Sequence, residues 1–120
     1  MIGYLKRESV RVLVRCRNSL DGLAFAWREE SSFSQWVVAN VVSAGLALAI
    51  EMSAVERALI IGFGLLVLVV ELLNTGIESA IDRIGLDHHP LSQKAKDTAC
   101  AAVALCAITA GIVSVIVLVG

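Results

Sequence analysis

The stretch ALIIGFGLLVLVVELLNTGIESAIDRI, residues 58–84, decides the fold. Its first thirteen residues, Ala58 to Val70, are apolar throughout. A hydrocarbon core takes roughly 20 helical residues to cross, so thirteen are too few alone. The helical pattern nevertheless runs on through ELLNTGIESAIDRI, and a helix from about 54 to 84 would span. Such a helix carries Glu71 and Glu78 in or near the bilayer. At about 100° per residue, Glu71, Glu78 and Asp82 fall within roughly 20° of one line. Thr75 lies about 40° to one side of that line and Asn74 about 60° to the other. A charged side chain at mid-bilayer costs on the order of 2.5–3.5 kcal/mol even on lenient insertion scales. A single acid could snorkel to the interface. Two Glu in one repeated register instead call for partners, metal, protonation or water.

Two further spans flank this one. Ser31 to Ile50 holds twenty consecutive residues without a charge, and Thr98 to Gly120 holds twenty-three. Gly45, Gly62, Gly64 and Gly111 are poor in soluble helices but common where membrane helices pack. The N-terminus cannot be a signal peptide, because Lys6, Arg7, Glu8 and Arg11 interrupt it before an apolar run can form. It reads as an interfacial amphipathic helix. Leu13, Cys16, Leu20, Leu23 and Trp27 recur at 3–4 spacing, with Arg7, Arg11 and Arg15 on another face. Asn18, Ser19, Asp21 and Gly22 weaken that pattern and predict a kink or break.

The expected architecture is therefore an all-α membrane protein, a single domain over residues 1–120. A surface helix covers about 4–28, and transmembrane helices cover about 31–50, 54–84 and 94–119. The segment IGLDHHPLS, with Gly85 and Pro90, is the clearest loop. Six basic residues precede the first span, and Arg83, Lys94 and Lys96 lie in the 83–97 connection, whereas the first connection has only Arg57. Positive residues stay inside, so the N-terminal helix and the 83–97 connection share the cytoplasmic face.

Composition excludes other classes. Hydrophobic residues make up 58% of the chain, which rules out disorder. Ten Lys and Arg against eleven Asp and Glu give a charge of −1 and no reason to expect nucleic acid. Cys16, Cys100 and Cys106, without a CxxC pair, exclude a zinc ribbon or disulfide scaffold and serve most simply as small packing residues. Trp27 and Trp36 suit an interfacial aromatic belt, and Asn40 is a candidate interhelical contact.

Paired carboxylates with a nearby Asn suit a hard divalent cation such as Mg²⁺, often shared with phosphates. A carboxylate desolvated near the bilayer also suits proton abstraction. Basic residues on the same side, Lys96 among them, could hold an anionic co-substrate. Together these point to phosphoryl transfer. A proton- or ion-conducting oligomer using the same acids is the rival, although a proton path needs neither the KAKD run (94–97) nor the remote Glu30. Asp82 is read as a structural partner of Arg83, Lys94 or Lys96.

The run ELLNTGIESAIDRIG (71–85) followed by HPLSQKAKDTACAAV (89–103) resembles the prokaryotic diacylglycerol kinase family. Its pattern is E-x-x-N-x-x-x-E-x-x-x-D, then a loop and A-K-D. GLAFAWREESSF (22–33) adds to the likeness, which covers roughly residues 11–115. The resemblance implies a homotrimeric bundle in the bacterial inner membrane, with sites at the cytoplasmic interface that draw on neighbouring subunits. It implies Glu71 as catalytic base, with Asn74 essential beside it, and Glu30 and Glu78 as ligands of the Mg²⁺ of MgATP. Arg11, Asn18, Asp87, His88, His89, Lys96 and Asp97 match nucleotide-side positions, together with Glu30 and Glu78. Arg11, Ser19, Ala24, Trp27, Ser32, Glu71 and Cys100 match the lipid-substrate side. Asn18 stands where well-known enterobacterial members carry an aromatic residue, Gln93 replaces a loop glycine, and Trp36 occupies a position that is often acidic. One branch of the family phosphorylates diacylglycerol and another undecaprenol. The DRIG run and the Trp27 context look more like the diacylglycerol branch.

Overall fold

The computed structural model describes all of residues 1–120, as four helices and no strand. They are α1 (Ile2–Glu29), α2 (Ser31–Ala49), α3 (Ala54–Ile84) and α4 (Pro90–Val119). Helices α2, α3 and α4 are each long and apolar enough to cross a membrane. The boundaries agree with the sequence reading to within two residues except at the start of α4. That helix begins at Pro90 rather than 94, because proline suits the first helical turn and the His89 side chain caps it. The His89 Nδ1 accepts the Leu91 N–H at 3.1 Å. The loop thereby shrinks to residues 85–89.

The expected kink in α1 does not form; the helix runs unbroken through Asn18–Gly22. Ser19 donates its hydroxyl to the Arg15 carbonyl at 2.9 Å, so it bonds within the helix instead of competing with it. One helical glycine costs only about 1 kcal/mol, which a 28-residue helix absorbs. The helix breaks only at Glu30, a single extended residue (φ −110°, ψ 101°) between α1 and α2, where the surface helix was expected to give way to the first span. Its N–H still bonds to the Ala26 carbonyl at 2.9 Å, which closes α1.

That corner sets the shape. The molecule measures 51 × 48 × 24 Å. Helices of 28 and 30 residues are about 42 and 45 Å long, so two perpendicular extents of this size lay α1 across one end of the spans. The N-termini of α2 and α4 and the C-terminus of α3 share that end. At the opposite end the Arg57 Nε donates to the Ala47 carbonyl at 2.8 Å and ties α3 to α2. A capping box at Ser53 and Glu56 starts α3 there.

Helix α3 is central. It packs on both α2 and α4, which do not pack on each other. Its buried residues are Ile60, Val67, Glu71 and Thr75, which recur at helical spacing along one edge. Where that edge meets α2, Asn40 donates Nδ2 to the Trp36 carbonyl at 2.9 Å and turns its Oδ1 towards Gly64. A Cβ at Gly64 would overlap that oxygen, so glycine permits the approach. Only eight residues are buried in the single chain, and α4 contributes just Ala99. Cys106 lies half-buried, as a packing residue should. Cys16 and Cys100 are exposed, so the packing role expected of them is not met within one chain.

Candidate active site

The buried edge of α3 changes chemistry at Glu71. Below it stand the buried Ile60 and Val67; Glu71 and Thr75 continue the buried edge, and the same register then runs out through the half-buried Glu78 to the exposed Asp82. Counting about 1.5 Å per residue from Ala54, Glu71 sits roughly 26 Å along the helix, close to the far boundary of a 30 Å hydrocarbon layer. Its side chain is only 4% exposed. Thr75, one turn on, is also buried.

Glu30 reaches the same place from the α1–α2 corner. Desolvation raises its carboxyl above the ordinary value, and the charges of Glu78, Glu71 and Glu29 raise it further. Three acids from two separate segments therefore share one electrostatic neighbourhood. Asn74 donates Nδ2 to Glu78 Oε1 at 3.4 Å, a long bond that orients the carboxylate. The Oδ1 of Asn74 is buried without a hydrogen-bond partner. A buried orphan amide oxygen beside carboxylates is a ready metal ligand or hydrogen-bond acceptor.

Nearer the end of the bundle, Lys96 Nζ donates to Asp82 Oδ1 at 2.6 Å and clasps α4 to α3. Beside this pair lies a polar hollow of about 210 Å³ lined by Gly85, Asp87, His88, His89 and Gln93 among others. The structure thus gathers Asp87, His88, His89 and Lys96. It does not bring Asp97 into the hollow: that side chain accepts from Gln93 Nε2 at 2.8 Å on the surface of α4. Arg11 and Asn18 are exposed on α1, and Arg11 is paired with Glu8 at 2.6 Å.

A groove of about 440 Å³ runs between α1 and α3, lined by Ser19, Gly22, Phe25, Leu72, Thr75 and Gly76, with Ser79 also on its wall. Of the expected lipid-side residues only Ser19 lines it. Ala24 and Trp27 are exposed on α1, Ser32 is half-buried in the first turn of α2, and Cys100 is exposed on α4. Sequence reasoning missed Phe25, Leu72, Gly76 and Ser79. The available signal was their register: on α3, Leu72, Gly76 and Ser79 lie about 80–140° round from Glu71, on the side that faces α1.

No three His, Cys, Asp or Glu side chains form a metal cage. The donor set is instead a carboxylate pair, Glu30 and Glu78, beside the free Asn74 oxygen. That fits Mg²⁺, which binds through one or two carboxylates and completes its shell with water and substrate phosphates.

These features define an integral-membrane protein with a buried acidic centre where a surface helix meets its spans. The family model described as prokaryotic diacylglycerol kinase matches residues 17–118. A diacylglycerol kinase of Pseudomonas aeruginosa is 48% identical over 101 residues, 82% of each chain. One of Escherichia coli K12 is 39% identical over 100 residues, 83% of this chain and 82% of its own. One of Helicobacter pylori strain 26695 is 45% identical over 84 residues, 70% of this chain and 66% of its own. The chain belongs to the prokaryotic diacylglycerol kinase family.

Proposed function

We propose that this protein transfers the γ-phosphoryl group of MgATP to the primary hydroxyl of diacylglycerol at the cytoplasmic face of a bacterial inner membrane. Family membership supports the reaction, and the relatives' names favour diacylglycerol over undecaprenol. The observation that carries the reading is the buried Glu71, with Glu30 and Glu78 in electrostatic reach and a groove opening beside Thr75.

The lipid hydroxyl enters from the bilayer side along the α1–α3 groove and gives its proton to Glu71. Its oxygen attacks the γ-phosphorus in line, the bond to the β,γ-bridging oxygen breaks, and phosphatidic acid and ADP leave. Glu71 then returns its proton to water. Glu30 and Glu78, with the Asn74 oxygen, hold the magnesium ion of the nucleotide, which offsets charge on the transferring group when bound. Lys96 exchanges Asp82 for a phosphate oxygen as the nucleotide arrives. Asp87, His88 and His89 line the approach for the nucleotide, and Arg11, Asn18 and Asp97 lie further out. Positioning and electrostatics supply the catalysis, and no phosphoenzyme is needed. The proposed assembly is a homotrimer, as the family resemblance implies, and the unburied spanning surface of one chain leaves room for such neighbours.

The test is purified protein in mixed micelles with radiolabelled ATP, offered diacylglycerol and undecaprenol side by side. Phosphatidic acid as the dominant product supports the reading, and no labelled lipid at all overturns it. Proton flux through reconstituted vesicles without ATP would favour the conducting rival.

A further inference from the structure

The N-terminal arm of α1 carries a charge that the acidic centre does not use. Residues 1–17 hold five cations, Lys6, Arg7, Arg11, Arg15 and Arg17, against the single anion Glu8. Residues 18–120 hold five cations against ten anions. The arm is therefore strongly positive on a chain that is otherwise strongly negative. Apart from the half-buried Glu8, every residue in it is exposed.

Helical register sorts these side chains into two faces. Ile2, Leu5, Val12, Leu13 and Cys16 fall within an arc of about 100° that also holds Ser9, and the five cations all lie outside it, interleaved with Tyr4, Val10 and Val14. On the basic side Gly3 and Val10 floor a groove of about 400 Å³ walled by Lys6, Arg7 and Arg11. The apolar arc is wide open: Leu5, Val12 and Leu13 are 56, 55 and 68% exposed. Because α1 lies across the end of the spans, the arm runs along the bilayer plane rather than through it. A helix with one greasy and one cationic face in that plane meets both acyl chains and phosphate.

We propose that residues 2–17 form a docking surface for anionic phospholipid, so that the arm settles in proportion to the negative charge of its own leaflet. The apolar arc enters the acyl boundary, and Lys6, Arg7 and Arg17 neutralise lipid phosphates. In one respect this rests on the kinase reading, because the reaction turns a neutral lipid into an anionic phosphomonoester. Turnover thereby adds to the charge that the arm reads.

The experiment needs neither ATP nor turnover, so its failure is separable from failure of the kinase assignment. Full-length protein with Cys100→Ala and Cys106→Ala keeps Cys16, on the apolar arc, as its one thiol. Labelled with an environment-sensitive fluorophore, it is reconstituted in phosphatidylcholine alone, or with phosphatidylglycerol or phosphatidic acid admixed. Expected is a blue shift and loss of iodide quenching with either anionic lipid, reversed by high salt. The combined Lys6→Gln, Arg7→Gln and Arg17→Gln variant should engage more than tenfold more weakly. Equal burial of the label in neutral and anionic membranes overturns the proposal, as does an unchanged response of the triple variant. The same shift with inorganic phosphate in neutral membranes also overturns it, by assigning the groove to a free anion. Trypsin cleavage after Lys6, Arg7 and Arg11 of the unmodified chain provides a second readout. Anionic vesicles should slow that cleavage, and equal cutting in both membranes counts against the dock.

Discussion

In the proposed mechanism Glu71 takes a proton and Glu30 holds the metal, and burial separates the two carboxylates. Glu71 lies inside the helix bundle, kept from water, whereas Glu30 is half-buried at the corner. Glu71→Gln keeps the size and removes the proton acceptor. Turnover in mixed micelles should fall at least 100-fold with the helical circular dichroism unchanged, and a variant that keeps its rate would remove Glu71 from the chemistry. Glu30 is held above the ordinary carboxyl range by desolvation and then by Glu78, Glu71 and Glu29. The sign follows from linkage. The folded chain binds this proton more tightly than the unfolded one, so without metal, stability declines as pH rises from the ordinary carboxyl value through the raised one. A divalent cation needs the ionised form and must displace the proton. Manganese binding, followed by its electron paramagnetic resonance signal, should therefore strengthen across the same window. Glu29→Gln should move the midpoint towards lower pH, and a midpoint that stays put would uncouple the two acids.

At the scale of elements, the features that arrange the helices differ in how far the sequence discloses them. The three spans, the surface helix and the acidic register on α3 follow from charge-free runs and a 100° step, and each was legible. The separation of the surface helix from the first span between 28 and 31 was legible too, from the change from charged to charge-free sequence. That a single extended residue, Glu30, makes the corner was not, because nothing in the REESS run (28–32) resembles a glycine or proline break. The same blindness hid Leu72, Gly76 and Ser79, whose importance comes only from the helix that lies over them. Asn40 was visible as a polar residue in a greasy span, but its target, Gly64, was not. Gly64→Ala drives a methyl into Asn40 Oδ1, the end of a side chain that can swing aside only by giving up its bond to the Trp36 carbonyl, so the cost is that of one hydrogen bond, about 1 kcal/mol. Thermal unfolding in detergent should show the loss, and Asn40→Ala in the same chain should restore most of it. No loss would mean that α2 and α3 separate freely at this level. At the other end of α3, His89 caps α4. His89→Ala should cost about 1 kcal/mol and His89→Asn much less, because asparagine also accepts the capping N–H. Equal losses would make the imidazole a ligand rather than a cap.

For the whole molecule, the division is between what one chain completes and what an oligomer adds. Helices α2 and α4 stand apart, leaving an apolar hollow of about 400 Å³ lined by Ala39, Val42, Leu46, Ile60 and Leu118 among others. Most of the large apolar side chains on the spans point outward. Lipid tails can cover such a surface as well as protein can, so exposure alone does not fix the subunit number. The acids are another matter. Glu30 lies in electrostatic reach of Glu71 and Glu78 of its own chain, so one chain by itself can bring the three carboxylates together. Co-expressing Glu30→Gln with Glu71→Gln, each under a different affinity tag, tests this in doubly purified oligomers. Each chain then lacks one acid of its own centre, so mixed assemblies should stay as inactive as either parent. Activity that reappears in the mixed fraction would place the two carboxylates of a working site on different chains, and the corner at Glu30 would then serve a neighbour.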